Sequence, residues 1–322
     1  MSFKPIIIVP GEPNSIFFEI FFKSLAYKKI KSPIILISSK DLLEREMKKF
    51  NFNYKIRLLK NFEQFNLSNI ILKSNTINLI NVNYLYLKNR IISKKSKKYI
   101  KNCFDIAIEL LNRGISNKLL NGPISKKYFL NKKLNGITEY LAKKTATKKY
   151  CMLIFNKNLS VCPITTHLPI KLVNKNINKR IIIEKIILIN LFFKNFMKKN
   201  PRIAVAGLNP HCESRHKFDE DIKIIKPAID YLRKKKINVN GPFSSDTLFL
   251  KNNRRNYNVI IGMYHDQVLT PIKTLFEYDA INITLGLPFL RVSPDHGPNE
   301  KMVGKNLSNP LSLIRAIEFL DK

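Results

Sequence analysis

The chain has 322 residues but only five histidines, and the positions of three of them suggest a chemical site. His167, His211 and His265 each lie just beyond an apolar run that is typical of a buried strand. Three neutral imidazoles from three separate loops can hold a divalent metal ion and leave coordination positions open for a substrate. A histidine after a strand can also be a hydrogen-bonded structural residue, so both interpretations stay open for each of the three.

Carboxylates accompany these histidines. Asp266 follows His265 directly, and Asp246 lies in the segment GPFSSDTLF (241–249). Such groups can orient an imidazole or act as a general base. The alternative for Asp246 is an N-cap at the start of a helix, and the two roles are compatible. Cys212 could ligate a metal, although an inert buried thiol is the favoured interpretation.

The elements that position these residues alternate between strands and helices. Short Ile/Val-rich runs bounded by breakers predict strands, and longer stretches near 103–114, 170–198, 218–236 and 308–321 predict helices. This order predicts an α/β fold with mostly parallel sheets covered on both faces. The strand candidates are 4–10, 33–38, 76–82, 118–123, 150–155, 159–165, 201–207, 258–262 and 281–286. Ligands bind outside the carboxyl ends of such strands, so we expect a cleft built from the loops there.

The formal net charge of +34 raises the possibility of a nucleic-acid-binding protein. Of the 57 basic residues, 45 are Lys and 12 are Arg, whereas specific readers of bases and phosphates rely on Arg. The excess of Lys, Asn and Ile is typical of AT-rich codons. We therefore expect no specific nucleic-acid partner and interpret KKSKK (94–98) and RKKK (233–236) as solvated faces.

Several classes of protein are disfavoured by what the sequence lacks. The four cysteines form no CxxC pair, which favours a reducing cytoplasm. The N-terminal apolar run is too short for a signal peptide, and the apolar segment 181–193 is too short and too polar to span a membrane. The ten glycines form no GxG pair, and no GxSxG occurs, so neither a Rossmann fingerprint, a P-loop nor a nucleophile elbow is present.

Ten short motifs, in order over nearly the whole chain, resemble those of the 4-hydroxythreonine-4-phosphate dehydrogenase family. The motifs are PGEP (10–13), NGPISK (121–126), G-x-TEYLA (136–142), TTHLP (165–169), GLNPH (207–211), GP-x-x-x-DTLF (241–249), YHDQ (264–267), Lys273, NITLGLPF-x-R (282–291) and DHG (295–297). The resemblance implies a fold like that of isocitrate and isopropylmalate dehydrogenases, with two α/β/α domains flanking a central cleft. It covers residues 1–322 as one family region, with lobes near 1–120 plus 280–322 and near 121–279.

The resemblance also implies a role for each matching residue. The metal ligands would be His167, His211 and His265, around one zinc, magnesium or cobalt ion per subunit. The substrate would be held by Thr138, Lys273, Asn282 and Arg291. Asp246 would be the catalytic base, and the nucleotide would be contacted by Asp295, His296 and Gly297.

The implied activity is oxidation of 4-phosphooxy-threonine with NAD or NADP. The product, 2-amino-3-oxo-4-phosphooxybutanoate, then decarboxylates to 3-amino-2-oxopropyl phosphate on the route to pyridoxine 5′-phosphate. The family works as a homodimer with its site at the subunit interface. We expect a cytoplasmic enzyme that acts on a small phosphorylated amino acid and has no membrane partner.

Departures from the family pattern keep alternatives open. Ile137 replaces the usual His of the G-H-T-E motif, and Val268 replaces a Gly after YHDQ. The turn after PGEP carries bulkier residues, the loop around ESRHKF (213–218) is shorter and lacks glycines, and small residues after DHG are replaced. The departures in the turn and after DHG are Asn14, Ser15, Phe17, Pro298 and Asn299. The alternatives are a dehydrogenase of another phosphorylated β-hydroxy acid, a nucleic-acid-binding protein on an inherited scaffold, and a degenerate basic protein with weak activity.

Overall fold

A computed structural model describes residues 3–27, 29–65, 71–73, 76–84, 96–125, 128–130, 136–213 and 218–322. Lys126 of NGPISK, His216 and part of the segments 94–98 and 213–218 lie outside these ranges. The strands are β1 (Ile6–Val9), β2 (Ile34–Ser38), β3 (Ile56–Leu58), β4 (Ile77–Asn81), β5 (Lys118–Asn121), β6 (Cys151–Phe155), β7 (Ser160–Pro163), β8 (Ile203–Ala206), β9 (Val239–Phe243), β10 (Val259–Gly262), β11 (Ile281–Leu285) and β12 (Leu290–Pro294). The helices are α1 (Phe17–Tyr27), α2 (Lys40–Lys49), α3 (Ser96–Asn112), α4 (Ile137–Lys144), α5 (Val173–Asn176), α6 (Lys179–Asn195), α7 (Lys226–Lys234), α8 (Ser245–Leu248), α9 (Lys251–Arg254), α10 (His265–Phe276) and α11 (Leu311–Leu320).

The chain divides into two compact units. Unit 1 comprises Met1–Tyr140 and Pro288–Lys322, and unit 2 comprises Leu141–Leu287. The boundaries predicted from the sequence lie near residues 120 and 280, and the observed first boundary falls inside α4.

Unit 1 is built on a parallel sheet with the strand order β3-β4-β2-β1-β5-β12. β1 reads IIIV, and all four side chains are fully buried, as a strand covered on both faces requires. β1 is therefore apolar throughout, whereas β3 (IRL), β4 (INLIN) and β12 (LRVSP) also carry polar or charged residues.

Unit 2 has the strand order β11-β6-β7-β10-β8-β9. β7, β10, β8 and β9 are parallel to one another, whereas β6 pairs antiparallel with both β11 and β7. Its core contains apolar side chains from the sheet and from α10, including Val268, Leu269 and Ile272. These pairings confirm the predicted α/β class with mostly parallel sheets.

The four predicted helical stretches all contain helices, whereas α1, α2, α4, α9 and α10 lie outside them and were not predicted. The helix expected over 103–114 begins earlier, as α3, and Gly114, just beyond its end, adopts a left-handed φ of 75°. The stretch expected over 170–198 is interrupted, and α6 begins after Asn178, whose side chain accepts a hydrogen bond from the Ile181 amide at 3.0 Å. Within the described ranges, no helix is both long enough and apolar enough to cross a membrane.

Candidate active site

Four loops of unit 2 carry chemical side chains at the carboxyl ends of neighbouring parallel strands. In the order of the sheet, His167 follows β7, His265 follows β10, His211 follows β8 and Asp246 follows β9. The last residues of these strands lie in register, because Gly262 pairs with Pro163 and Ala206 with Phe243. The strand ends therefore place all four loops along one edge of the sheet. This was predicted for the three histidine loops, whereas β9, which leads to Asp246, was not among the predicted strands.

His167 and His265 lie next to each other at this edge. Their ring centroids are 5.2 Å apart and the rings are tilted by 40°. Two imidazole nitrogens bound to one tetrahedral metal at about 2.0–2.1 Å place their ring centroids about 5 Å apart. The spacing of the two rings therefore fits a shared metal ion.

The side chain of Asp266 sets the orientation of His265. The Nδ1 atom of His265 is 2.6 Å from the Asp266 Oδ1 atom, so with Nδ1 protonated the imidazole donates to the carboxylate. The Nε2 lone pair is then directed away from Asp266. A metal-binding histidine is commonly supported in this way by a carboxylate on its other nitrogen.

The loop that presents His211 is held by a buried carboxylate. Asp221 is 0% exposed, and its oxygens accept hydrogen bonds from the Leu208 amide at 2.7 Å and the Asn209 amide at 3.0 Å. The Asn209 side chain donates a third at 3.0 Å. These bonds keep the loop tight while His211 itself is exposed in a left-handed conformation with φ of 59°.

Left-handed backbone is shared by two of the predicted ligands, since His167 has φ of 52°. A non-glycine residue in this region is uncommon and costs free energy that the surrounding contacts must offset. Such residues cluster at functional sites, so the two histidines are held where sequence propensity alone would not place them.

Asp246 is exposed and held as a carboxylate by its neighbours. The Ser244 hydroxyl donates to Oδ1 at 2.5 Å and lowers the pKa of Asp246, and the Thr247 amide, at 2.9 Å, and the nearby His211 act in the same direction. The residue lies in the first turn of α8, whose N-cap is Ser244, so Asp246 is not itself the N-cap. A general base must be unprotonated to accept a proton, so an ionised Asp246 carboxylate is in the state that this role requires.

Cys212 is half-buried, and burial, followed by the nearby Asp221 carboxylate, raises the pKa of its thiol. This favours the protonated form over the thiolate that binds metals. Across the part of the chain that the structure describes, no three His, Cys, Asp or Glu side chains are gathered as a ready metal cluster. The three-histidine metal centre stays a prediction.

In unit 1, the predicted substrate-binding residues Thr138 and Arg291 are both buried, at 9% and 1% exposure. The Arg291 Nε atom donates to the Asn121 side-chain oxygen at 2.7 Å. Burial lowers the pKa of the Arg291 guanidinium to about 9, and the nearby carboxylate of Glu139 opposes part of that change. A buried cation of this kind is stabilised by any anion that binds beside it.

Lys273 and Asn282, the other predicted substrate-binding residues, belong to unit 2. Lys273 lies half-buried in the last turn of α10, and Asn282 lies in β11, where it pairs with Ile154 of β6. The Asn282 Oδ1 atom is buried without a hydrogen-bond partner among the described residues. A buried amide oxygen in that state is a candidate for contact with a ligand.

The DHG segment follows β12 in unit 1. The Asp295 amide donates to the Ser312 hydroxyl at 2.9 Å, and the His296 Nδ1 atom is 3.0 Å from the Gly297 carbonyl oxygen. Gly297 is exposed, and a Cβ atom built there would meet nothing within 4 Å. Contact of these residues with a nucleotide stays a prediction.

Two departures from the family pattern are accommodated by glycines elsewhere in the chain. Val268 is fully buried, and a Cβ atom on Gly262 would lie 2.4 Å from it. Phe17 is also fully buried, and a Cβ atom on Gly122 would lie 2.4 Å from its ring. Each larger side chain therefore occupies space that a glycine leaves open.

Three residues that organise these regions had no predicted role. Gln267 and Asp221 hold the loops of unit 2, and Glu12 in unit 1 accepts hydrogen bonds from the Ser125 amide and the Ser96 hydroxyl, both at 3.0 Å. Gln267 lies in the YHDQ motif and Glu12 in the PGEP motif, so the resemblance could have drawn attention to both residues. Asp221 stands in a charged stretch that looks like an ordinary helix start.

Comparison with known proteins gives consistent matches. The family model described as "Pyridoxal phosphate biosynthetic protein PdxA" matches residues 29–320. The 4-hydroxythreonine-4-phosphate dehydrogenase of Sulfurihydrogenibium sp. (strain YO3AOP1) is 36% identical over 320 residues, covering 98% of this chain and 96% of that protein. The D-threonate 4-phosphate dehydrogenase of Pectobacterium atrosepticum is 33% identical over 236 residues, covering 72% of each. A crystal structure of 4-hydroxythreonine-4-phosphate dehydrogenase from Klebsiella pneumoniae matches with a TM-score of 0.82 and 30% identity, covering 99% of this chain and 97% of that one.

Proposed function

Because the chain belongs to the family of the pyridoxal phosphate biosynthetic protein PdxA, we propose that it is a 4-hydroxythreonine-4-phosphate dehydrogenase. The reaction is the NAD- or NADP-dependent oxidation of the secondary hydroxyl of 4-phosphooxy-threonine, followed by decarboxylation to 3-amino-2-oxopropyl phosphate. The observation that carries this proposal in the structure is the set of four loops at one sheet edge, which present His167, His265, His211 and Asp246.

The three histidines would hold one divalent metal ion, with zinc, magnesium and cobalt as the candidates. The adjacent rings of His167 and His265 and the carboxylate behind His265 support this assignment. When bound, such an ion lowers the pKa of a coordinated hydroxyl, and the nicotinamide supplies the hydride acceptor. The Asp246 carboxylate takes up the hydroxyl proton: its lowered pKa keeps it ionised before the transfer, and its exposure leaves it accessible to a substrate.

The anionic groups of the substrate need cationic and neutral donors. We assign them to Thr138 and Arg291 of unit 1 and to Lys273 and Asn282 of unit 2. A guanidinium and an ammonium bind phosphate and carboxylate oxygens through charge-assisted hydrogen bonds. The burial of Arg291 supports this role, because burial makes the guanidinium depend on an anionic partner. The nucleotide is assigned to Asp295, His296 and Gly297.

Replacement of a predicted ligand tests the proposal. We expect His211→Ala to lose the metal and to lower kcat/KM by at least about 100-fold, because a coordinating nitrogen is removed. The matched control is Asn176→Ala, an exposed polar residue of α5 in the same unit. Metal content by mass spectrometry and NADH formation measure the two effects. If His211→Ala kept one zinc per chain, the three-histidine centre would be wrong.

A second candidate substrate is D-threonate 4-phosphate, which carries a hydroxyl where 4-phosphooxy-threonine carries an amino group. Two observations favour it: one relative at 33% identity is named for that substrate, and Ile137 stands where the resembled motif has a donor. The two compounds assayed side by side at equal concentration decide between them, since the higher kcat/KM identifies the substrate.

We propose that the protein acts as a homodimer in the cytoplasm with the site at the subunit interface. Unit 2 exposes the large apolar side chains of Ile170, Leu191 and Phe196, at 70%, 46% and 40%, which a second copy could cover. Cys103, Cys151, Cys162 and Cys212 are free thiols, in keeping with a reducing compartment. Light scattering checks the assembly, and a mass equal to one chain would contradict the dimer.

A further inference from the structure

The amide of Gln267 connects three loops of unit 2. We propose that Gln267 is the positioning residue that sets the loops of His211 and Asp246 relative to the loop of His265. It does so as a clamp between backbone and side-chain groups and not as a ligand. The functional consequence rests on the proposed function, because that proposal gives the three loops their roles.

Three hydrogen bonds form the clamp. The Gln267 Nε2 atom donates to the Gly207 carbonyl oxygen at 2.7 Å and to the Ser245 hydroxyl at 2.7 Å. The Oε1 atom accepts from the Met263 amide at 2.6 Å. Gly207 begins the loop that leads to His211, and Ser245 precedes Asp246.

The chemistry of the partners determines how the amide is oriented. A backbone carbonyl can only accept and a backbone amide can only donate, so Nε2 must face Gly207 and Oε1 must face Met263. Both Nε2 protons are used. The only other neutral side chain that offers two donors and one acceptor is Asn, which is one methylene shorter. The requirement for Gln at this position follows from these three partners.

The surroundings leave room for the clamp and extend it. Gly262 lies so close that a Cβ atom there would be 3.0 Å from the Gln267 Oε1 atom. Thr165, in the loop that leads to His167, donates from both its amide and its hydroxyl to the Met263 carbonyl, at 3.1 and 2.7 Å. Met263, which donates to the Gln267 Oε1 atom, is therefore also bound to the loop that leads to His167.

A purely local role is the competing explanation. Gln267 is the third residue of α10, a position from which Gln or Glu can accept a hydrogen bond from the backbone just before the helix. That role needs only Oε1 and the Met263 amide. The bonds from Nε2 to Gly207 and Ser245 are needed only if Gln267 positions the other loops.

The variant Gln267→Glu separates the two roles. Glu keeps an oxygen for the Met263 amide but cannot donate, and its carboxylate faces the Gly207 carbonyl oxygen. A helix-capping role therefore predicts wild-type behaviour, whereas the clamp predicts that the loops carrying His211 and Asp246 loosen. The matched control is Gln64→Glu, the same chemical change in unit 1.

Hydrogen exchange by mass spectrometry on the full chain measures this directly. We expect at least about 10-fold faster exchange in peptides covering 207–213 and 244–250 of Gln267→Glu, with β6 unchanged. With Co²⁺ as the probe, we expect affinity to fall about 10- to 100-fold and the visible spectrum of the bound ion to change. Wild-type exchange in both loops, or uniformly faster exchange throughout unit 2, would overturn the clamp.

Ser245→Ala supplies a second reading if Gln267→Glu does not fold. It removes one arm of the clamp, so exchange should rise in 244–250 and stay near wild type in β6; no change in 244–250 would contradict the proposal. The exchange comparison needs no metal. Failure of the wild-type chain to bind Co²⁺ or to turn over substrate would instead count against the proposed function.

Discussion

The candidate site residues of the two units are supported in opposite ways. In unit 2, His167, His211 and Asp246 are exposed, and their positions depend on hydrogen bonds made by residues behind them. In unit 1, Arg291 and Thr138 are themselves buried in the fold. A change to a supporting residue in unit 2 should therefore weaken metal binding indirectly, by loosening a loop while the predicted ligand itself stays intact. A change to a site residue in unit 1 should disturb both function and stability.

The difference reflects the chemistry of the side chains. An imidazole binds a metal through one nitrogen and needs an orienting partner but no dry surroundings. A guanidinium that recognises an anion gains strength when water is excluded, because charge-assisted hydrogen bonds strengthen at low dielectric. Burying a guanidinium costs free energy, which the lowered pKa of Arg291 reflects, and the anion of the proposed substrate would offset part of that cost.

Arg291→Ala should have the largest effect. We expect KM for the phosphorylated substrate to rise about 100-fold and the free energy of unfolding to fall by about 3 kcal/mol, because a buried side chain and its bond to Asn121 are lost. Steady-state kinetics and denaturant titration measure the two quantities. Arg315→Ala is the control, since its ion pair with Glu318 is partly exposed and contributes little. An unchanged KM would exclude Arg291 from the substrate site.

Asp221→Asn tests the supporting layer of unit 2. In the wild type, two backbone amides donate hydrogen bonds to the Asp221 carboxylate. The side-chain amide of the variant has a donor in place of one carboxylate oxygen, so we expect the free energy of unfolding to fall by about 2 kcal/mol. Metal affinity should fall about 10-fold because the loop of His211 loosens. Calorimetry and metal titration check both values. Asp230→Asn, in a partly exposed ion pair of α7, is the control; equal effects of the two variants would remove the assigned role of Asp221.

Glu12→Gln should have the smallest effect, and it depends on pH. Burial raises the pKa of Glu12, with the Ser125 amide and the Ser96 hydroxyl opposing that shift. The folded state therefore binds the proton more tightly than the unfolded state, and stability falls as the pH rises from the ordinary value of 4.5 through the raised pKa. Because the side chain of Gln does not ionise, the stability of Glu12→Gln does not fall over this pH range.

The free energy of unfolding of Glu12→Gln minus that of the wild type should accordingly increase as the pH rises through that window and then level off. Thermal unfolding across the pH range measures it, with Glu44→Gln on the surface of α2 as the control. A constant difference would show that Glu12 titrates as an ordinary carboxyl group.

Much of this arrangement could be predicted from the sequence. The runs of β1, β8 and β10 are apolar without interruption, which predicts strands buried on both faces and hence parallel sheets. The loops that follow such strands meet at one edge, so the predicted neighbourhood of His167, His211 and His265 follows from topology alone. The break between α5 and α6 was less predictable, because the apolar periodicity of the sequence continues through it.

The amino-acid sequence by itself determined the α/β class, most of the strands but not β3, β9 or β12, and the residue types available at the ends of the predicted strands, because hydrophobic periodicity and breakers are local properties. The tertiary structure alone decided that Gln267 bridges three loops, that the buried Asp221 holds the loop of His211 and that Gly262 makes room for Val268. These contacts join residues that are remote or differently oriented along the chain. Their geometry depends on strand register and packing, which no local pattern encodes.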